Sequence, residues 1–391
     1  MFTSMASLAS PAVSLASLPP ICEYLDRYSH SDPLYMRQRT LLKCIYMDVD
    51  KFTDYDRMVV DGWIESSRNH GEIEFPVDFY KRVAWCRERG YTHFTHVIVA
   101  GGRRMGKGVI GGRIAEYQTA QLIARGNPQA YYGIDESKTL EMRFFASSKG
   151  QARSALYMDA MNAILMDDYL IQWVMHSSGD EMVLQTPHDR VREREIMERA
   201  RSSKSKGRGN FISIKSLSSI SIAPMSLKGS TARGGAGFMQ GFDEFAHVQN
   251  TDSDVSADAT YEAATPSLAQ MGKDALMYMP SSPWAKENKF YKLFESAMGY
   301  DSSGTDVPRH KAPLVGAVQG RAVRPVQGRS HHRLAGRPHV PRQGPRHEDA
   351  RAHQPRPLLR RVQGELAEHG ERLPRRARDR EGFPTVPGER A

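Results

Sequence analysis

Long apolar runs and cysteines are scarce in this chain of 391 residues. No apolar run approaches the roughly 18 to 20 residues that a membrane-spanning helix needs, so we expect no membrane segment. The three cysteines, Cys22, Cys44 and Cys86, form no CxxC pair, which argues against a disulfide framework and a cysteine zinc site. The start of the chain has no positive charge ahead of its apolar stretch, so we expect no secretory signal. These absences favour a soluble protein of a reducing cytoplasm.

Large apolar residues are almost missing from residues 308–391. This segment has one aromatic residue, Phe383, and no Ile, Met, Tyr, Trp or Cys. It carries 18 arginines and one lysine against eight acidic residues, a net charge of +11, whereas the first 307 residues carry −2. So few apolar side chains cannot offset the conformational entropy of a folded core. We therefore predict that residues 308–391 form a disordered, Arg- and Pro-rich tail.

Two origins of this tail remain open. A flexible basic arm would bind DNA phosphates in a salt-dependent, sequence-independent way. Alternatively, the tail is a frame-shifted product, because the missing residue types are largely those with A/T-rich codons while Arg, Pro, Gly, Ala and His abound. Reading the encoding DNA beyond codon 307 in its other frames separates the two.

The body of the chain shows alternating strand and helix patterns. An apolar, β-branched run over 94–100 precedes a glycine-rich turn and a helical pattern over 109–125. A second strand over 142–146 leads into a helix over 151–165, in which apolar residues recur at three- and four-residue spacing. Residues 187–210 are too charged for a core and are predicted as an exposed helix followed by a mobile loop. Further predicted strands cover residues 211–214, 220–223, 237–242 and 275–279.

This alternation predicts an α/β fold, a mainly parallel central sheet flanked by helices. We place the folded domain at residues 32–307. Residues 1–31 are then an N-terminal extension.

The sequence GGRRMGKG at 101–108 lies between the first predicted strand and its helix. Gly101, Gly106 and Lys107 fit G-x-x-x-x-G-K, a loop whose N–H groups attract phosphate oxygens while the lysine reaches the β and γ phosphates. Gly108 lacks the hydroxyl that usually binds Mg²⁺ at this position, so that ligand must be a water or come from elsewhere. A glycine-rich basic turn is the alternative. The position between strand and helix favours a P-loop NTPase.

The predicted strand over 237–242 ends in Asp243 and Glu244. ATPases use such a pair to place one carboxylate beside Mg²⁺ and the next beside the attacking water. We therefore predict Asp243 as the metal-binding residue and Glu244 as the catalytic one. The alternative is a solvated strand end, since charged pairs usually sit in water.

Several motifs in order resemble the large terminase subunit of tailed bacteriophages, an ATP-driven motor that packs DNA into a procapsid. They are RRMGK at 103–107, ASSKGQA at 146–152, RG at 233–234 ahead of FDEFA, and YMPSSP at 278–283 ahead of an N-x-F-Y helix. The resemblance covers roughly residues 32–298. It implies a P-loop ATPase that uses ATP and Mg²⁺.

The resemblance also implies roles for individual residues. Arg103 would stabilise charge on the γ-phosphate in cis, or Arg103 and Arg104 would both neutralise the bound triphosphate. Ser281 and Ser282 would sense the γ-phosphate or its water and transmit the change to the next helix. Gln38 lies in a segment similar to the one that contacts adenine in terminases and helicases. Its amide would offer both a donor and an acceptor to the base edge. A polar position on an amphipathic helix is the alternative for Gln38.

The implied partners are double-stranded DNA, a small terminase subunit, a portal protein and further copies of the chain in a ring, with no membrane, in the cytoplasm of an infected or lysogenic bacterium. Members of this family carry a nuclease domain after the ATPase. The tail's scattered acidic residues cannot build a two-metal site, so no nuclease activity is expected. A helicase-like or repair ATPase and an inactive nucleotide- or DNA-binding relic remain alternatives.

Overall fold

The protein is described by a computed structural model that covers residues 18–69, 75–102, 104–202, 217–227, 235–248, 256–282, 288–298 and 314–316. All of these residues belong to the first of two compact units, residues 1–323. No helix in these ranges combines the length and apolar character that crossing a bilayer requires. Arg103, the strand predicted over 211–214 and the loop predicted over 203–210 lie outside the described residues.

One sheet of eight strands, in the order β3-β4-β5-β2-β6-β7-β1-β8, organises this unit. The strands are β1 His96–Ala100, β2 Leu140–Ala146, β3 Val174–Ser177, β4 Met182–Leu184, β5 Ile220–Ser226, β6 Ala236–Phe242, β7 Leu276–Ser281 and β8 Leu314–Gly316. From β5 to β8 all neighbours run parallel. Strands β3 and β4 form an antiparallel edge. The predicted mainly parallel α/β sheet is therefore confirmed.

Helices pack against this sheet. The described α-helices are α1 Ile21–Tyr28, α2 Met36–Ile45, α3 Asp54–Asn69, α4 Phe79–Glu88, α5 Lys107–Ala124, α6 Pro128–Tyr132, α7 Lys149–Ala152, α8 Met158–Leu165, α9 Pro187–Ser202, α10 Ala257–Leu268 and α11 Lys289–Met298. A π-helical turn, Arg153–Tyr157, joins α7 to α8. The helices predicted over 109–125 and 151–165 are both present, and the charged helix predicted from residue 187 extends to Ser202.

The central strands are apolar because both of their faces are covered. Val97, Ile98 and Val99 of β1 are fully buried, and every residue of β6 is buried. Such continuous apolar runs are typical of parallel strands with helices on both sides. Ala100 pairs with Ser281, so β1 and β7 end at the same edge of the sheet. In α/β sheets, this carboxyl edge is where ligands bind.

Helix α1, which lies in the predicted N-terminal extension, packs against α5 and the segment after α8. Ile21 and Tyr24 are fully buried. The Tyr24 ring lies edge-on to Tyr117 of α5 with 5.2 Å between the ring centres, and the Tyr24 hydroxyl donates to Asp167 Oδ2 at 2.8 Å. The folded core therefore begins before residue 32, because the sequence between residues 21 and 28 supplies an apolar helix face.

Strand β8 lies in the segment that was predicted to be a disordered tail. Its three residues pair in parallel with His96, Val97 and Ile98 of β1. The predicted tail of residues 308–391 stays a prediction. The rest of 308–391 lies outside the described residues.

Candidate functional site

The loop between β1 and α5 has the backbone shape that its glycines predict. Gly106 precedes α5 with φ of +81°, a left-handed conformation that glycine adopts without steric cost. Arg104 has φ of +66° and is exposed. The loop directs the chain into the first turn of an 18-residue helix. The unpaired N–H groups and positive dipole end of that turn attract anions.

Lys107, the first residue of α5, reaches back across this loop. Its ammonium donates to the Gly101 carbonyl at 3.0 Å and to Ser282 Oγ at 2.9 Å, and lies 3.1 Å from Glu244 Oε1. Only 11% of the side chain is exposed. The lysine therefore contacts residues that follow the carboxyl ends of β1, β6 and β7.

Glu244 is held by the end of β7. Ser282 N–H donates to Glu244 Oε2 at 2.8 Å, Ser282 Oγ to Oε1 at 3.2 Å and Ser281 Oγ to Oε2 at 3.3 Å. Burial raises the pKa of this carboxyl, but the Ser282 N–H and Lys107 outweigh burial, so the pKa of Glu244 lies below its ordinary value. Its backbone φ is +47°. Glu244 is thus an oriented, charged carboxylate.

Asp243 has the opposite electrostatic environment. Burial and the neighbouring charge of Glu244 raise the pKa of Asp243, and a hydrogen bond with Gln151 and the charge of Lys107 oppose that rise only in part. The described residues contain no group of three or more His, Cys, Asp or Glu side chains that could hold a metal ion. A cation beside Asp243 would therefore need oxygens from a bound substrate or from water as well.

Ser281 connects the site to α11. Its Oγ accepts the Ala246 N–H at 3.0 Å, and the Ala246 carbonyl accepts a hydrogen bond from Asn288 Nδ2 at 2.8 Å. Asn288 Oδ1 in turn accepts the Tyr291 N–H at 2.8 Å, which caps the first turn of α11. The segment after β6 is therefore tied both to the end of β7 and to the start of α11.

Gln38 lies against the loop between β1 and α5. Its Nε2 donates to the Met105 carbonyl at 3.0 Å, and its Oε1 accepts the Tyr35 N–H at 3.0 Å. A Cβ added at Gly106 would lie 2.3 Å from Gln38 Nε2. The side chain braces the loop from α2, and its contact with adenine stays a prediction.

The structure brings most of the predicted residues together and adds others. Gly101, Lys107, Glu244 and Ser282 are in direct contact, and Asp243 and Ser281 adjoin them. Three further residues at the site escaped the sequence analysis as site residues: Gln151, Asp159 and Tyr278. Tyr278 is buried and donates its hydroxyl to the Lys107 carbonyl at 2.8 Å. The Gln-Ala pair at the start of a helix was the available signal for Gln151.

Comparison with known proteins gives similarity at the level of fold. No protein-family model and no curated protein matches this chain. The ATPase domain of the Thermus phage P74-26 large terminase matches with a TM-score of 0.36 and 14% identity, over 57% of this chain and 76% of that one. A mutant of the same domain, in which one arginine is replaced by alanine, matches with a TM-score of 0.33 and 14% identity, over 61% and 76%.

The large terminase of a thermophilic bacteriophage matches with a TM-score of 0.31 and 11% identity, over 63% of this chain and 45% of that one. These similarities are too weak to carry a functional assignment, which has to rest on the site itself. The solved structures that this chain resembles are large terminases of bacteriophages or their ATPase domains.

Proposed function

We propose that this chain is an ATPase of the terminase type, which couples ATP hydrolysis to the movement of double-stranded DNA into a procapsid. One observation carries the proposal. Lys107 stands at the start of the helix that follows a glycine loop, and its ammonium meets the Glu244 carboxylate at the carboxyl ends of parallel strands. A phosphate-binding cation and a water-activating carboxylate are thereby within reach of one another.

Phosphate binding would use the loop and the first turn of α5. The N–H groups of that turn and the Lys107 ammonium offer donors to the β and γ phosphates. The same ammonium now pairs with Glu244 and Ser282. Triphosphate oxygens would compete for it, and the Glu244 carboxylate would then be released to accept a hydrogen bond from the attacking water.

The residues present fit a Mg²⁺ ion. Mg²⁺ commonly binds one or two carboxylates together with substrate phosphates and water, and Asp243 is a half-buried carboxylate that still lacks full charge compensation. Asp243 would hold the ion, partly through water. When bound, the ion neutralises charge on the β and γ phosphates.

A structural change caused by hydrolysis would be transmitted to α11 through the serines at the end of β7. Ser281 and Ser282 both contact Glu244, and the Ala246 backbone links Ser281 to Asn288. A shift of Glu244 would thus change contacts at the start of α11. This is the arrangement that a motor needs in order to convert phosphate chemistry into helix movement.

The remaining site assignments belong to the same proposal. Arg103 would stabilise γ-phosphate charge in cis, Arg104 would neutralise the triphosphate, and Gln38 would contact the base at the edge of the loop that it braces. The small terminase subunit, the portal protein and a ring of like chains would complete the machine.

Steady-state ATP hydrolysis with and without duplex DNA tests the proposal. We expect turnover that DNA stimulates, and a loss on the order of 10² or more in Lys107→Ala. Lys138→Ala, which removes an exposed lysine, should behave as the wild type. Equal turnover in both variants would exclude Lys107 as the phosphate ligand. Strand separation during turnover would indicate a helicase, and nucleotide binding without turnover would indicate a relic.

A further inference from the structure

Gly108 faces a carboxylate from another helix. A Cβ added at residue 108 would lie 2.0 Å from Oδ2 of Asp159, a residue of α8. A side chain at residue 108 would fit only if the Asp159 carboxylate moved. The place where a serine or threonine would begin at this position of the phosphate loop is therefore filled by a carboxylate oxygen.

Close packing of α5 on α8 and on β7 explains why glycine stands at these positions. At Gly112, a Cβ would lie 2.8 Å from the Asp159 carbonyl oxygen, and at Gly111 it would lie 2.8 Å from the Tyr278 ring. Packing alone does not require an acid at residue 159, because an alanine would fit the same contact and would avoid burying a charge.

Within the described ranges, the Asp159 carboxylate has no compensating contact. Among the described residues, no hydrogen bond or ion pair reaches this half-buried side chain. The charge of Arg113 acts on it from a distance, yet burial prevails and raises the pKa of Asp159. A carboxylate in such a position is stabilised by a cation.

Asp159 and Asp243 both act on one buried hydroxyl. Burial and then the negative charges of Asp243 and Asp159 raise the pKa of Tyr278, whose hydroxyl donates to the Lys107 carbonyl. Both carboxylates are therefore close enough to this hydroxyl to influence its charge.

We propose that Asp159 supplies the oxygen ligand for the nucleotide-bound divalent cation that Gly108 cannot supply. This inference rests on the proposed ATPase function. A carboxylate is a hard oxygen ligand of the kind that Mg²⁺ and Mn²⁺ prefer. Asp159 thus takes the place of the missing hydroxyl, from a helix that lies about 50 residues further along the chain.

Binding of Mn²⁺ to the full chain, followed by electron paramagnetic resonance in the presence of a non-hydrolysable ATP analogue, tests this proposal. In Asp159→Asn we expect Mn²⁺ affinity to fall about 10- to 100-fold. Binding of the same analogue in EDTA should stay unchanged, because its phosphates are held by Lys107 and the loop. Glu88→Gln, which removes an exposed carboxylate beside Arg89, should match the wild type.

A reciprocal pair of variants makes the test specific. Gly108→Ser alone should disturb the site, because its Cβ overlaps Asp159. Gly108→Ser combined with Asp159→Ala restores a hydroxyl and removes the clash, and should recover most of the Mn²⁺ affinity. Circular dichroism on each variant checks that the fold is retained.

Two results would overturn the inference while leaving the ATPase proposal in place. The first is wild-type Mn²⁺ affinity in Asp159→Asn, and the second is an equal loss of analogue binding with and without metal, which indicates a packing role. If wild type and Lys107→Ala bind the analogue equally weakly, the proposed function itself fails, and this inference fails with it.

Discussion

Lys107 Nζ lies 3.1 Å from Glu244 Oε1. The residue proposed to bind phosphate therefore forms an ion pair with the residue proposed to activate water. Ser282 contacts both, since it accepts from Lys107 and donates to Glu244. In the proposed ATPase, a bound phosphate would compete with this ion pair for one ammonium. That competition would couple water activation to nucleotide binding.

Glu244→Gln should retain nucleotide binding and lose turnover. The substitution removes a transition-state interaction, so we expect kcat to fall by about 10² to 10⁴. Nucleotide affinity should stay equal or rise, because Lys107 no longer has a charged competitor. Steady-state hydrolysis and equilibrium binding of a fluorescent nucleotide measure the two effects. The exposed Glu262→Gln serves as control, and comparable hydrolysis in both variants would refute the assignment.

Asp243→Asn should weaken nucleotide binding only when Mg²⁺ is present. The carboxylate would hold the ion that bridges the β and γ phosphates, and we expect a loss of about 10- to 100-fold. Because burial and Glu244 disfavour the charge of Asp243, the same change should not lower the free energy of unfolding. Calorimetric titration of the nucleotide with Mg²⁺ and with EDTA measures the two affinities. Equal losses of affinity in the two conditions would contradict the assignment of Asp243 to the metal.

Asn288→Ala should destabilise the start of α11. It removes the cap on Tyr291 N–H and the bond to the Ala246 carbonyl, and loss of such a cap typically costs about 1 kcal/mol. Asn288→Ser can still cap the helix but is too short to span both contacts. If Asn288 couples the site to α11, DNA-stimulated hydrolysis should fall in both variants, whereas only Asn288→Ala should show the full stability loss in urea unfolding. Normal DNA stimulation in Asn288→Ser would argue against coupling.

The buried pair of Glu116 and Asp167 should make stability depend on pH. Burial, then the charge of Asp167, raises the pKa of Glu116 from 4.5 to about 8, although Arg113 opposes this. The folded state therefore keeps a proton that the unfolded chain releases above pH 4.5. Since the folded state binds more protons, the free energy of unfolding should fall as pH rises from about 5 to 8.

Glu116→Gln should flatten that dependence. The amide cannot lose a proton, so urea unfolding at pH 5, 6, 7 and 8 should give a smaller slope than in the wild type. Glu262→Gln again provides an exposed control. An unchanged slope in Glu116→Gln would show that other groups control the pH response.

Local pattern was sufficient for the central strands and for the turn between β1 and α5. β1 is an apolar run, and β1 and β2 are each followed by a loop and then by helical spacing, a change that is visible in the sequence itself. The three-residue strand Met182–Leu184 is too short for any periodicity. The antiparallel edge was therefore beyond prediction.

Contacts between distant segments could not be read from spacing. Gln38 was predicted near the base, yet its position against Met105 depends on how α2 docks on the loop. Asp159 is one acid on a helix in the sequence, and only the approach of α8 to Gly108 gives it a possible role. The roles of such residues depend on how distant segments pack together, which residue spacing does not reveal.

The burial of α1 has a practical consequence for preparing the protein. A chain shortened to begin at residue 32 would lose the Tyr24 ring that covers Tyr117, and the hydroxyl that donates to Asp167. It would remove the Tyr24 donor from Asp167 Oδ2 and expose an apolar surface, and such surfaces promote self-association. A fragment that begins at residue 18 should stay monodisperse at concentrations at which one that begins at residue 32 precipitates.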